Sequence, residues 1–185
     1  MNDFAYKWEE ALCKSYYNRS DEVTDFAAYD SLIAHVPNDA KDVLDVGAGN
    51  GYIVNKLIEK GMNAIGTTIC YEDVEIYGLT YSDMHNLIFE DKSFDVVIAR
   101  HVLEHALSPR LALREIWRVL RDNGTFLVET PINYEGVEYN NKTHFYYFMP
   151  KQYNNLLERN GFTIQSVGVV DSSYRIIAQK SVLVE

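Results

Sequence analysis

The feature that most constrains the fold is a glycine-rich turn between an apolar run and an amphipathic segment. Residues 43–46 (Val-Leu-Asp-Val) are short and apolar, as a buried parallel strand is. They lead directly into residues 47–51 (Gly-Ala-Gly-Asn-Gly). Apolar residues then recur at helical spacing up to Gly61, which stands where a C-cap glycine belongs. Glycines at a strand-to-helix turn let the backbone approach a ligand closely, so this segment predicts a ligand-binding turn.

Strand and helix patterns alternate after this turn. Candidate strands fall at residues 63–68, 76–81, 94–99 and 124–129, and candidate helices at 109–121 and 150–160. Such alternation predicts a parallel sheet covered by helices on both faces. The last two candidate strands, at about 162–170 and 174–184, are too close together for a helical crossover. We therefore expect a mostly parallel seven-strand α/β sheet that ends in an antiparallel hairpin.

Length and composition indicate one domain. A chain of 185 residues without repeats or Pro/Gly-rich linkers suits a single domain with one core. We expect residues 1–40, which are rich in aromatics, to form an N-terminal helical cap. Residues 131–149 follow the fifth strand, so they are predicted to form a lid over the carboxyl ends of the strands. An aromatic loop packed against the N-terminal helices is an equally open interpretation of that segment.

Net charge and cysteine content limit the binding partners and the cellular location that we expect. The formal net charge is −10 at pH 7, which disfavours binding to a nucleic-acid backbone or to anionic lipid. Cys13 and Cys70 make no CxxC pair, and we interpret both as reduced thiols of a cytoplasmic protein. The N-terminus lacks a basic region followed by an apolar run, so no secretory signal is expected. No apolar stretch is long enough to span a bilayer.

Several motifs in order resemble the class I S-adenosylmethionine-dependent methyltransferases, in particular the type 11-like group that acts on small molecules. Residues 43–52 look like the first motif of that family, and residues 83–105 and 115–124 resemble later ones. His144 and the Gly-Phe pair at 161–162 also fall in familiar places. The resemblance covers about residues 40–165. It implies a Rossmann-like three-layer sandwich, S-adenosylmethionine as cofactor, S-adenosylhomocysteine as product, and a small-molecule methyl acceptor of unknown nucleophile. Oligomeric state stays open.

The resemblance also implies a set of cofactor-binding residues. The glycine turn would pass under the methionine and ribose, with an aspartate at the amino end. An aspartate and a methionine would bracket the adenine, and an arginine would lie near the reacting methyl. The implied residues are Asp45, Gly47, Ala48, Gly49, Asn50, Thr67, Thr68, Asp83, Met84 and Arg100.

One region departs from the family pattern. The second strand ends in Thr67 and Thr68, where the family usually has an acidic residue that binds the ribose hydroxyls. Thr68 together with a displaced Asp73 is a candidate substitute. The stretch between Thr68 and Asp83 is also short for a helix plus a strand, which leaves open the loss of one helix between strands 2 and 3.

Two histidines are candidates for chemistry. A hydroxyl acceptor benefits from a general base, and His144 is the first candidate and His101 the second. A non-catalytic scaffold of the same fold is an alternative. A third is a zinc hydrolase, because residues 101–105 spell H-x-x-E-H with His101, Glu104 and His105. That motif directly follows a buried strand and no third ligand is evident, so we expect no metal and a packed, hydrogen-bonded His105.

Overall fold

A seven-stranded sheet with helices packed on it forms the core of the computed structural model. The structure describes Cys13 and residues 26–132 and 143–181. In chain order the elements are α1 (Ala27–Ile33), β1 (Asp42–Asp45), α2 (Tyr52–Glu59), β2 (Asn63–Thr68), α3 (Tyr71–Tyr77), β3 (Thr80–Tyr81), β4 (Phe94–Arg100), a 3-10 turn (Leu103–His105), α4 (Pro109–Val119), β5 (Leu120–Pro131), α5 (Pro150–Glu158), β6 (Phe162–Val170) and β7 (Ser173–Lys180).

The strand order decides where a ligand can bind. It is β3-β2-β1-β4-β5-β7-β6, with β7 antiparallel to both neighbours and the other pairs parallel. The chain builds outward from β1 to β3 and then returns to place β4 on the other side of β1. Ligands of open α/β sheets bind at the carboxyl ends of the strands beside such a switch point. The predicted Rossmann-like sandwich with a terminal antiparallel hairpin is confirmed.

Alternate residues of the central strands supply two hydrophobic layers. On one face, Val97 and Phe126 pack with apolar residues of α4 and α5. On the other face, Val96 and Leu127 pack with apolar residues of α1 and α2. The two-residue period of a strand therefore accounts for a sheet that is buried on both sides.

The segment between β2 and β3 differs from the expectation of a lost helix. A short helix, α3, is present, and it ends at Gly78, whose φ of +67° turns the chain sharply. The strand predicted at residues 76–81 is wrong in its first half, because Ile76 and Tyr77 belong to this helix. Only two residues remain for β3. A seven-residue helix with a glycine cap is compact enough to fit the short connection.

The two cysteines form a disulfide, so their interpretation as reduced thiols is wrong. Cys13 and Cys70 have Cα atoms 5.6 Å apart, within the range that a disulfide spans. They lie 57 residues apart in the chain, and no local motif signals their pairing. The bond ties the N-terminal region to the residue that precedes α3.

Loss of this disulfide should destabilise the native state. Cross-linking a loop of this length restricts the unfolded chain, and its removal typically costs about 2–4 kcal/mol. We expect Cys13→Ser to lower the free energy of unfolding by that amount in denaturant titrations of protein purified without reductant. Reductant should destabilise the wild type similarly and leave the variant unchanged. Two titratable thiols in the unreduced native protein would show that the bond does not form.

Two predicted segments are described only in part. The predicted cap at residues 1–40 is described at Cys13 and from residue 26 onward, where α1 lies. Residues 133–142 of the predicted lid lie outside the described residues. Among the helices that the structure describes, none has both the length and the apolar character needed to cross a bilayer.

Candidate active site

A cavity of about 540 Å³, measured with its open mouth, lies at the carboxyl ends of β1, β2 and β4. This is the position that the strand order favours for a ligand. Its walls come from the segments that follow these strands and β3. The lining residues are Val46, Gly47, Gly49, Thr67, Thr68, Ile69, Cys70, Asp73, Ser82, Met84, Val102 and His105.

The glycine turn forms the wall beside β1. Gly47 and Gly49 have φ angles of +68° and +56°, a region that residues with a Cβ rarely adopt. A Cβ placed on Gly47 would lie 2.5 Å from Val102 Cγ2, so this glycine is needed for packing. A Cβ placed on Gly49 would meet no heavy atom within 4 Å. The backbone at Gly49 thus borders open space that a ligand can fill.

A polar pair stands at the end of β2. Thr68 is buried, and its Oγ1 donates a hydrogen bond to Asp73 Oδ2 at 2.9 Å. The same oxygen accepts a bond from the Cys70 amide at 3.0 Å. Thr67 Oγ1 accepts from the Gly47 amide at 3.4 Å, which ties the glycine turn to β2. Both Thr68 and Asp73 line the cavity, so a carboxylate stands near the end of β2 although β2 itself ends in threonines.

Asp45 is a buried carboxylate at the end of β1. Only 2% of the residue is exposed, and Oδ2 has no hydrogen-bond partner among the described residues. Burial raises the pKa of Asp45 to about 7, against the opposing effect of the Arg100 charge. Val46 lines the cavity, whereas Asp45, the residue before it, does not. A cationic ligand group nearby would stabilise its ionised form.

Asp83 lies between two lining residues, Ser82 and Met84. Its Oδ1 accepts hydrogen bonds from the His85 amide at 2.9 Å and lies 2.7 Å from His85 Nδ1. Burial opposes ionisation, but the hydrogen bonds and charge of His85 outweigh it and lower the pKa of Asp83. Asp83 is therefore held as an anion at the rim, while Met84 contributes directly to the wall.

Three other predicted residues make contacts within the protein and are not among the lining residues. The Ala48 amide donates to the Thr67 carbonyl, and Asn50 Oδ1 accepts from the Tyr52 amide at the start of α2. Arg100 lies over the ring of Tyr29, with its Cζ 4.1 Å from the ring centroid. These contacts shape the turn and the end of β4 from behind the cavity wall.

Arg100 also belongs to a buried ionic network. Its Nε lies 2.8 Å from Glu129 Oε2, and Arg175 Nε donates to Glu129 Oε1. Arg175 Nη1 further donates to the Ser31 hydroxyl at 2.9 Å and to its carbonyl oxygen. Glu129 is 1% exposed and Arg175 is 4% exposed. The network fixes α1 against the carboxyl end of β5, beside the cavity.

The two candidate bases lie close to the 3-10 turn at Leu103–His105. His101 has a φ of +54°, its Nε2 lies 3.1 Å from Ser173 Oγ, and its Nδ1 lies 3.5 Å from Glu104 Oε1. The His144 ring packs edge-on against His105, with ring centroids 4.7 Å apart. His105 is buried, as the sequence indicates, and it also lines the cavity. A general-base role for His101 or His144 stays a prediction.

Sequence reasoning missed several wall residues. Ile69, Ser82 and Val102 are small or apolar residues without a chemical signature, but each directly follows a strand or lies one residue beyond it. Position after a parallel strand is the one signal that could have identified them. Cys70 was missed because its role as a disulfide half was not foreseen.

The chain matches a known protein family over most of its length. A family model described as a methyltransferase domain matches residues 17–167. Among curated proteins, the sterol 4-C-methyltransferase strm-1 of Caenorhabditis elegans is 28% identical over 115 residues, which cover 55% of this chain and 34% of that protein. The ubiquinone biosynthesis O-methyltransferase of Bartonella quintana is 23% identical over 164 residues, covering 74% and 66%. The chain spans between 34% and 40% of the first curated relatives it matches.

A solved structure shows the same fold. The 1,6-didemethyltoxoflavin-N1-methyltransferase of Burkholderia thailandensis, with bound 1,6-didemethyltoxoflavin and S-adenosylhomocysteine, superposes with a TM-score of 0.79 at 21% identity. The match covers 97% of this chain and 90% of that one. The strand order and the position of the cavity are thus those of the class I methyltransferase fold. The chain belongs to the methyltransferase-domain family whose model it matches, and the prediction of S-adenosylmethionine as cofactor is confirmed.

Proposed function

We propose that the chain transfers a methyl group from S-adenosylmethionine to a small-molecule acceptor. The observation that carries this proposal is the turn at Gly47 and Gly49, which borders a cavity beside the switch point of the sheet. S-adenosylmethionine supplies a methyl group that is already activated on a sulfonium. The protein therefore has to bind the cofactor, orient the acceptor towards the methyl group and exclude water. The open space at Gly49 supports close passage of the cofactor along the backbone.

The proposed cofactor contacts follow the cavity wall. Thr68 and Asp73 would hold the ribose hydroxyls, because they place a hydroxyl and a carboxylate side by side at the end of β2. Met84 would lie against the adenine ring, with Asp83 accepting a hydrogen bond at the rim. Asp45 would stabilise the positive amino end of the methionine moiety through its buried carboxylate.

The acceptor is proposed to be a small molecule. The net charge of −10 disfavours a nucleic-acid partner, and the described part of the predicted lid reaches the turn beside the cavity through backbone bonds from Phe145 and Tyr146 to the Glu104 carbonyl. The relatives named above are described as acting at carbon, oxygen or nitrogen. Where the acceptor is a hydroxyl, His101 and His144 are the proposed groups for its proton.

Cofactor affinity should depend on the ionisation of Asp45. Its pKa is raised to about 7, and the ammonium group of the cofactor favours the ionised form. We therefore expect affinity for S-adenosylhomocysteine to fall below pH 7, by up to about tenfold per pH unit. Titration calorimetry in buffers of different ionisation enthalpy would detect the coupled proton release, and Asp45→Asn should flatten the pH profile. A flat profile in the wild type would exclude this role.

Ionisation of Asp45 should favour cofactor binding but lower the free energy of unfolding of the cofactor-free protein. An aspartate whose pKa is raised in the folded state binds more protons when folded than when unfolded between pH 4 and 7. The free protein should therefore lose stability as pH rises through that window, and Asp45→Asn should remove this contribution. Thermal unfolding of the cofactor-free wild type and of Asp45→Asn, at pH 4 and at pH 7, measures this contribution to stability.

The proposed function is tested by binding and by transfer. Titration calorimetry should show saturable binding of both S-adenosylmethionine and S-adenosylhomocysteine. Cofactor with an isotopically labelled methyl group is then incubated with panels of hydroxyl, amine and carbon acids, and with RNA, and products are identified by mass spectrometry. Saturable binding without transfer to any acceptor, or no binding at all, would favour the scaffold alternative.

A further inference from the structure

We propose that Glu104, His105 and His144 bind one first-row divalent cation, such as Zn²⁺, beside the cofactor cavity. One ligand atom from each residue lies within 4.8 Å of the others. Two imidazoles and one carboxylate are a donor set that suits Zn²⁺ and its neighbours and leaves coordination positions open. The third ligand, His144, comes from a segment 39 positions beyond His105.

Glu104 carries the strongest evidence for a cation. It is 1% exposed, and neither carboxylate oxygen has a hydrogen-bond partner among the residues that the structure describes. Among the described residues, the imidazole Nδ1 of His101 lies 3.5 Å from Glu104 Oε1, and the buried phenol of Tyr153 lies within the electrostatic range of the carboxylate. Within the described residues no Lys or Arg pairs with it. A buried carboxylate without a cation is costly, and a metal ion would offset that cost.

His105 is oriented for metal binding. Its Nδ1 lies 2.8 Å from the carbonyl oxygen of Thr143, which can only accept a hydrogen bond. Nδ1 therefore carries the proton, and Nε2 presents the lone pair that a metal requires. Metal-binding histidines commonly have their other ring nitrogen bonded to a carbonyl or carboxylate in this way.

The backbone holds the three ligands in place before any ion arrives. The amides of Phe145 and Tyr146 donate to the Glu104 carbonyl at 2.9 and 3.2 Å. These bonds join the segment of His144 to the turn that carries Glu104 and His105. His101, held by Ser173, lies against the outer side of the carboxylate and would orient it. This set differs from the His101, Glu104 and His105 combination of a zinc hydrolase, and it replaces the expectation of no metal.

The chemical role rests on the proposed methyl transfer. His105 also lines the cofactor cavity, so the ion would lie next to the site of reaction. A hydroxyl of the acceptor that binds the ion loses its proton to water more readily. The oxygen then forms a bond to the methyl carbon while the carbon–sulfur bond breaks, and its electron pair stays on sulfur. His144 would act here as a ligand rather than as a base, and the favoured acceptors carry a hydroxyl.

Metal binding is tested on the full chain without cofactor. Protein treated with chelator is titrated with Zn²⁺ and, separately, with Mn²⁺ by calorimetry. We expect one equivalent of Zn²⁺ to bind and to raise the thermal midpoint. Glu104→Gln and His144→Ala should each weaken binding at least about tenfold. The matched control is His35→Ala, because His35 is an exposed histidine outside the cluster. This variant should bind Zn²⁺ as tightly as the wild type does. No saturable binding, or equal binding in all variants, would overturn the metal site.

Two further measurements separate this proposal from the proposed function. Binding of S-adenosylhomocysteine to the metal-free protein reports on the cofactor site alone and should persist in Glu104→Gln. Protein loaded with Co²⁺ should change its visible absorption when catechol, an oxygen donor, is added. A cobalt spectrum that does not respond to catechol would exclude oxygen coordination, while loss of cofactor binding to the metal-free wild type would instead contradict the proposed function.

Discussion

Gly49→Val should abolish cofactor binding and leave the fold intact. Gly49 has a φ of +56°, and a Cβ there would meet no protein atom within 4 Å, so the side chain would project into the space assigned to the cofactor. We expect the affinity for S-adenosylhomocysteine to fall at least about a hundredfold, equal to about 2.7 kcal/mol. Titration calorimetry measures the affinity, and circular dichroism checks the fold. Unchanged affinity would remove the glycine turn from the binding site.

Gly61→Val is the matched control for this substitution. Gly61 has a φ of +85°, and a Cβ there also meets nothing within 4 Å. It lies between α2 and β2, at the end of the sheet opposite the cavity. Both variants should lose about 1–2 kcal/mol of stability from the left-handed backbone. Only the Gly49 variant should lose cofactor binding, so the comparison separates backbone strain from obstruction of the site.

Glu129→Gln should destabilise the protein strongly. Glu129 is 1% exposed and lies between the guanidinium groups of Arg100 and Arg175. Removal of its charge would leave Arg175 buried without its carboxylate, which typically costs about 3–5 kcal/mol. Denaturant unfolding measures the loss. Arg175 also donates a hydrogen bond to Ser31 in α1. In Glu129→Gln, the backbone amides of α1 should therefore show faster hydrogen exchange than those of the other helices.

An exposed ion pair provides the comparison. Lys56 Nζ lies 2.8 Å from Glu59 Oε2 on α2, with side-chain exposures of 39% and 65%. Glu59→Gln should lower the free energy of unfolding far less than Glu129→Gln does, because solvent screens the exposed pair. If Glu129→Gln costs no more than this surface substitution, the network does not hold α1 to the sheet.

The elements that sequence predicted well have strong local signals. The strand predicted at residues 162–170 is β6, Phe162–Val170, because a glycine precedes it and a short polar turn follows. The hairpin with β7 followed from the length of the connection alone. The position of the cavity followed from the glycine turn and the order of strands and helices.

The features that sequence did not reveal depend on residues far apart in the chain. The disulfide joins Cys13 to Cys70 across 57 residues, and only folding brings them together. A helix and a strand, α4 and β5, lie between His105 and His144 in the chain, so His144 was not recognised as the missing ligand. α3 was missed because seven residues give too little helical periodicity to outweigh an apolar run.

The position of β7 has a consequence for biosynthesis. β7 lies between β5 and β6, although it follows both in the chain and therefore leaves the ribosome after them. Until residues 173–180 emerge, the edge of β5 from Thr125 to Pro131 has no partner on that side. An unpaired apolar edge is open to pairing with other chains. Nascent or truncated chains that lack β7 should therefore depend on chaperones far more than chains that contain it.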